Sequence, residues 1–141
     1  MHIMSTFDSL DALIKHFPVR MEPSFPINVP YINRLHYSPK QPTESRMHYH
    51  DSTELGICRC GSGVFYIGNQ VCPFSAGDVI VISPGTIHIA HSDQQIAGWQ
   101  FIDIDYRYLA DKLPPGCADL ANNFNGVITK GNNDKIATLM D

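Results

Sequence analysis

Residues Arg46 to His91 read RMHYHDSTELGICRCGSGVFYIGNQVCPFSAGDVIVISPGTIHIAH, and this stretch decides the fold. Successive side chains of a strand point to opposite faces, so His48 and His50 face the same way. Glu54 keeps their parity if no bulge intervenes. The alternation Glu54-Leu55-Gly56-Ile57-Cys58-Arg59-Cys60 predicts a strand that stops at the turn signal Gly61-Ser62-Gly63. Val64 to Ile67 predicts the next strand, Gly68-Asn69 a two-residue hairpin turn, and Val71 to Phe74 the return. Gly77-Asp78 turns the chain again, into the compact β-branched strand Val79 to Ile82. Ser83-Pro84-Gly85-Thr86 is a further turn that delivers His88 onto another strand. Three imidazoles and one carboxylate thus stand on a meander of short strands. They are residue types that can converge on one metal ion or one polar ligand.

His48, His50, Glu54 and Gly61 stand at the spacing His-x-His, three residues, Glu, six residues, Gly. This resembles the first motif of the cupin superfamily. Gly77-Asp78, then a Pro-Gly turn, two residues and His88 resembles the second. Ser83 stands where that turn usually has proline, with Pro84 shifted one place along, and Ser92 stands where the motif often ends in Asn. Neither position is a metal ligand in the pattern. Within the superfamily the chain is most similar to the N-terminal sensor domain of AraC-type transcription regulators. The opening motif, the GD-hydrophobics-SPG-x-x-His segment and a closing strand Trp99-Gln100-Phe101-Ile102-Asp103-Ile104-Asp105 carry that likeness over roughly Tyr31 to Leu109. The resemblance implies a mainly all-β fold, a cupin double-stranded β-helix or jelly-roll barrel. It also implies a small-molecule effector, a homodimer, and DNA contact through a separate helix-turn-helix domain.

Composition sets bounds. At 141 residues the chain is one domain, long enough to bury its own core. Its net charge of −4 argues against this piece gripping phosphate backbones by itself. No apolar run reaches the length of a transmembrane helix, and residues 1–20 do not read as a signal peptide. The four cysteines, Cys58, Cys60, Cys72 and Cys117, form no paired framework, which fits reduced thiols in a cytoplasm.

Outside the meander, Ser5 to Phe17 reads as an amphipathic helix with Leu10, Leu13, Ile14 and Phe17 on one stripe. Ser5, Asp8 and Ser9 are its capping or first-turn residues, and Pro18 ends it. Such a helix covers the outside of the barrel; by the resemblance, the alternative is an arm that closes over a pocket. Pro23, Pro26 and Pro30 make the next segment an extended connector. Tyr31 to Tyr37 reads as a strand, Ser38 to Pro42 as a loop, and Ile96 to Asp105 as the last clear strand. Tyr106 to Leu113 reads as a short helix and Val127 to Lys130 as a small strand. Asp134 then opens a C-terminal helix that has a start signature and no stop. The expected organisation is an N-terminal helix and Pro-rich arm over 1–30, the barrel over 31–109, and a helical and turn segment over 110–141. On the resemblance, that last segment is cut before a helix-turn-helix domain.

Three imidazoles and a carboxylate suit one borderline divalent metal such as Zn, Ni, Fe or Mn. Four protein ligands leave two positions open on an octahedral ion and none on a tetrahedral one. The competing reading is a metal-free polar cluster lining an effector pocket, with Glu54 accepting from one histidine. Trp99 and Phe101 face inward on the closing strand, where they stack on an effector ring or simply pack the core. Cys58 and Cys60 share the parity of Glu54, as pocket-lining thiols or as buried, inert ones. His2, His16, His36 and His91 have no paired spacing and read as surface or core residues. Two other functions remain open: a stand-alone metal-dependent cupin enzyme of dioxygenase, isomerase or lyase type, and a bare dimerisation module with a plugged barrel.

Overall fold

A computed structural model describes residues 14–22, 24–30, 35–38, 47–93, 96–105, 107, 114–115 and 123–139. Eleven strands occur in these residues: β1 (Ile14–His16), β2 (Ile27–Asn28), β3 (His36–Tyr37), β4 (Met47–Tyr49), β5 (Thr53–Cys60), β6 (Ser62–Ile67), β7 (Gln70–Ser75), β8 (Val79–Ile82), β9 (His88–Ser92), β10 (Gly98–Ile104) and β11 (Gly126–Ile128). One helix, α1 (Asp134–Leu139), follows. The strands make a five-stranded sheet of order β1-β4-β9-β6-β7 and a six-stranded sheet of order β11-β8-β5-β10-β2, with β3 also on β10. This is the jelly-roll barrel expected from the sequence.

The turns explain the tight meander. Ile67 pairs with Gln70, so Gly68-Asn69 is a two-residue hairpin loop, and Gly68 takes φ 56° there. Only a residue without Cβ adopts that conformation at no steric cost. Gly56 is needed for a different reason. A Cβ on it would lie 2.6 Å from the Phe101 ring and 2.7 Å from Ile80, so the strand passes too close to its neighbours for any side chain.

Cys58, Ile80, Ile82, Trp99 and Phe101 of the six-stranded sheet meet Phe65, Ile67 and Phe74 of the five-stranded sheet in one buried cluster. Trp99 is fully buried. It meets Phe65 and Phe74 edge-on at 5.1 and 4.7 Å between centroids and stacks on Phe101 at 5.7 Å. Aromatic pairs favour these edge-to-face and offset arrangements, because the ring edge is positive and the face negative. A second cluster, Ile57, Val79 and Val81, takes the alternate positions of β5 and β8. That is why all four residues of β8 are buried.

Three expectations change. Residues 14–16 are a strand, not the last turn of a helix; Ser5 to Leu13 lie outside the described residues. β1 pairs in parallel with β4, and the Phe17 amide continues the ladder to the Tyr49 carbonyl at 3.0 Å. An open sheet edge offers backbone partners that outweigh a helical periodicity. Cys60 does not share the inward face of Cys58. The β5–β10 register shifts between Gly98 and Trp99, so Arg59 is the extra residue of a bulge and Cys60 is exposed. The sheets also draw on strands beyond 31–109, namely β1, β2 and β11. Of the expected strand Tyr31–Tyr37, His36 and Tyr37 are seen, and most of the expected helix Tyr106–Leu113 lies outside the described residues. The C-terminal helix begins at Asp134 as expected.

Candidate functional site

His48 and His88 stand directly opposite each other across β4 and β9. Paired positions send both side chains to the same face, and here the ring centroids are 4.4 Å apart. His50 follows β4 with the same parity as His48, and its ring lies 5.1 Å from His48 and 5.3 Å from His88. One ring nitrogen from each of the three lies within 4.8 Å of the others, so three histidines close together can hold a metal ion. Glu54 arrives from β5 on the other sheet. Its Oε2 is 3.2 Å from His50 Nε2, and its Oε1 is 3.7 Å from His88 Nε2. All four residues singled out in the sequence meet at one point.

The outer nitrogens determine what the inner ones can do. His88 Nδ1 lies 2.8 Å from the Thr86 carbonyl and His50 Nδ1 lies 3.0 Å from the Phe17 carbonyl. A carbonyl can only accept, so Nδ1–H donates in both rings and Nε2 carries the lone pair of the neutral form. Metal-ligating histidines are commonly oriented in this way. His88 Nε2 is buried and has no hydrogen-bond partner among the described residues. An unpaired buried acceptor is costly, and a divalent cation would satisfy it. With the nitrogen and oxygen donors beside it, the site fits a borderline transition metal.

Electrostatics distribute the protons unevenly. Burial pushes the Glu54 carboxyl up, but the His50 hydrogen bond and the charges of His88, His50 and His48 outweigh it and hold the group below its ordinary value. Burial would lower His50, yet the hydrogen bond and charge of Glu54, the Phe17 carbonyl and Asp103 together raise it. In His88 burial wins over the charge of Glu54, and its pKa falls. The two histidines beside Glu54 are thus shifted in opposite directions, His50 up and His88 down, so His50 is the stronger proton holder of the two.

Three neighbours escaped the sequence reading as site residues. Asp103 pairs with Glu54 across β10 and β5 and accepts from Asn28 Nδ2 at 3.0 Å and Ser52 Oγ at 3.2 Å. Burial and the charge of Glu54 still push its carboxyl up. Its inward parity with Trp99 and Phe101 was the available signal. His36 packs edge-on to Phe101 at 5.8 Å, and desolvation lowers its pKa against the charge of Glu54. Only the β3–β10 pairing brings it there. Phe17 contributes a backbone carbonyl and sets its ring 5.2 Å from His48, which no residue-type pattern could announce.

The remaining sequence candidates lie beneath the histidines. Trp99 and Cys58 are 0% and 1% exposed and Phe101 is 8% exposed. Burial pushes the Cys58 thiol up to about 11, and its S–H points to the Cys60 carbonyl at 3.2 Å. A thiol so placed is a packing group at neutral pH. A cleft of about 510 Å³ is lined in part by Arg20, Glu22, Asp51, Ser52, Asp105 and Arg107, and Ser52, which donates to Asp103, links it to the site.

Comparison with known families gives one match. Residues 32–107 match the AraC-like ligand binding domain. The chain belongs to that family. Solved structures similar to this AraC-like ligand binding domain include a cupin 2 conserved barrel domain protein from Rhodopseudomonas palustris, at 19% identity and TM-score 0.41 over 43% of this chain and 43% of that one. The plu4264 protein from Photorhabdus luminescens is 21% identical, with TM-score 0.42 over 52% of this chain and 61% of that one. A cupin protein from Bacteroides fragilis is 20% identical, with TM-score 0.38 over 55% and 61%. The chain therefore spans 43% to 61% of those proteins' own lengths. No curated protein matches it. Among the described residues no helix is long and apolar enough to cross a membrane.

Proposed function

We propose that this AraC-like domain is the sensing and dimerisation unit of a transcription regulator that reads DNA with another domain, and that it senses a small polar effector through one divalent metal. The observation that carries the reading is the meeting of His48, His50 and His88 within 4.8 Å, with the buried Nε2 of His88 left without a hydrogen-bond partner among the described residues. His48, His50, His88 and Glu54 would hold the ion. Once bound, it would supply Lewis-acid sites for an oxygen or nitrogen of the effector.

The protein's own residues do the rest. The Phe17 and Thr86 carbonyls orient His50 and His88. The Phe17 ring, 5.2 Å from His48, is the aromatic surface beside the histidines, and Phe101, between His36 and Trp99, adds a second on β10. The interior beneath is filled by packed rings, so an effector sits at the mouth and extends into the cleft of Arg20, Ser52 and Arg107. That polar lining selects a small polar molecule over a hydrocarbon. Regulation then follows as a population shift, in which the effector stabilises one arrangement of the paired subunits.

Metal analysis of the tag-free protein is the test. The expected result is one equivalent of a transition metal in the wild type and none in His50→Ala. No metal in either, after incubation with Zn, Ni, Fe and Mn salts, rejects the metal and leaves a metal-free effector pocket. In the full-length regulator, operator binding unchanged after replacing all four residues by Ala rejects the sensor role.

A further inference from the structure

The turn between β8 and β9 has one side on the histidine site and the other on the C-terminal segment. On the site side, the Thr86 carbonyl orients His88, and the Gly85 amide donates to the His50 carbonyl at 2.7 Å. On the far side, the Ser83 amide donates to Asn125 Oδ1 at 2.8 Å and the Ser83 hydroxyl donates to the Phe124 carbonyl at 2.8 Å. The Thr86 amide closes the turn onto the Ser83 carbonyl at 3.2 Å. Ser83 is 3% exposed, so neither bond exchanges readily with water.

Phe124 and Asn125 lead directly into β11, which pairs with β8 through Gly126, Val127 and Ile128. Beyond β11, the Lys130 amide donates to Asp78 Oδ1, and Asn133 donates to the Gly77 and Ile128 carbonyls. Then α1 begins. A continuous set of hydrogen bonds thus runs from His88 to the start of the last helix. Its narrowest link is Ser83. The sequence offers a reason for that residue: Ser83 occupies the place where the resembled motif has proline. Proline has no N–H and no hydroxyl, and would make neither bond.

We propose that Ser83 is a positioning residue that couples filling of the histidine site to the C-terminal segment 123–139. It acts through His88 on one side and through Asn125 and Phe124 on the other. The proposal rests on the metal reading given above. A cation drawing on His88 and His50 fixes the turn that joins them, and a fixed turn holds the segment. Coupling of this kind is reciprocal, so the latched segment must strengthen metal binding by the factor by which the metal strengthens the latch.

The experiment adds Zn²⁺ alone to the 141-residue chain and follows both metal affinity and hydrogen exchange of residues 126–139. In the wild type, Zn²⁺ slows exchange in this segment by about fivefold or more. In the Ser83→Ala, Asn125→Ala double variant, which loses both bonds, the slowing disappears and Zn²⁺ affinity falls by about the same factor. Ser83→Thr keeps the N–H and the hydroxyl and restores both readouts. Asn125→Ala alone, the milder change, moves both in the same direction by less. If the wild type takes up Zn²⁺ without slowing exchange, or the double variant keeps the slowing or the affinity, the latch is overturned and the metal site stands. No uptake by the wild type overturns the metal reading itself, and the latch with it.

Discussion

The two sheets supply the site by different means. Glu54 and Asp103 stand on β5 and β10 of the six-stranded sheet, which pair in register from Thr53–Ile104 to Cys60–Gly98 across a single bulge. The histidines come from the five-stranded sheet, where β4 meets β9 at one paired position, His48 opposite His88. His50 lies past the end of its strand. Long ladders hold the carboxylates, while carbonyls from the residue after the first strand and from a turn orient two of the imidazoles, His50 and His88. Preorganisation on one side comes from the sheet and on the other from outside it. Damage to the first side should therefore appear as lost stability, and damage to the second as lost metal affinity with the barrel intact.

The largest effect should come from the sheet side. Trp99 bridges the sheets, touching Phe65 and Phe74 across the core and Phe101 beside it. Trp99→Ala should destabilise the metal-free protein by about 3–5 kcal/mol, read as a lower urea midpoint. The residual folded fraction should still bind metal, since no ligand or orienting carbonyl is lost. A loss of under about 1 kcal/mol would mean the interior is looser than its rings suggest, and would favour an effector that enters it.

The histidine side gives the next effect. A chain beginning at Pro18 lacks β1 and the Phe17 carbonyl that orients His50. Its metal affinity should fall by about 10–100-fold in competition with a chelating dye. Its circular dichroism should remain that of a β-barrel, because among the described residues β1 is an edge strand that pairs with β4 alone. Unchanged affinity would show that His50 finds its orientation without the first strand.

The same contrast explains what was legible in the sequence. His48, His50, Glu54 and His88 were readable because side-chain parity and tight turns act over a few residues. The hairpin at Gly68-Asn69 and the inward pair Trp99 and Phe101 were readable for the same reason. What failed involved distant partners. Ile14 to His16 carried a helical stripe, but the free edge of β4 converted it to a strand. Cys60 followed the alternation until a bulge at Arg59, set by the partner strand, turned it outward. His36 and the Phe17 carbonyl join the site through pairings over long sequence separations, which no local pattern encodes. The role of Ser83 was half visible, as a departure from the expected proline, and needed Asn125 to give it a reason.

The smallest effect is a pH dependence with opposite signs in two histidines that share one carboxylate. In the metal-free protein His88 has a folded pKa below its ordinary 6.5. As the pH falls through that value the unfolded chain takes up a proton that the folded chain refuses, so stability drops on acidification. His50 has a folded pKa above 6.5, because Glu54 accepts its proton. Its contribution is fully present below 6.5 and is lost as the pH rises through the folded value. Glu54 stays ionised throughout, being held below its ordinary 4.5. In the wild type the two slopes have opposite signs and meet at pH 6.5, the His50 slope lying above it, up to the raised folded value, and the His88 slope below it, down to the lowered one. Single substitutions should separate them. His50→Asn leaves the His88 slope, and its urea midpoint should fall as the pH is lowered below 6.5; His88→Asn leaves the His50 slope, and its midpoint should rise as the pH is lowered toward 6.5. If both variants moved in the same direction, the opposite shifts of His50 and His88, and with them the unequal hold of Glu54 on the two rings, would be overturned.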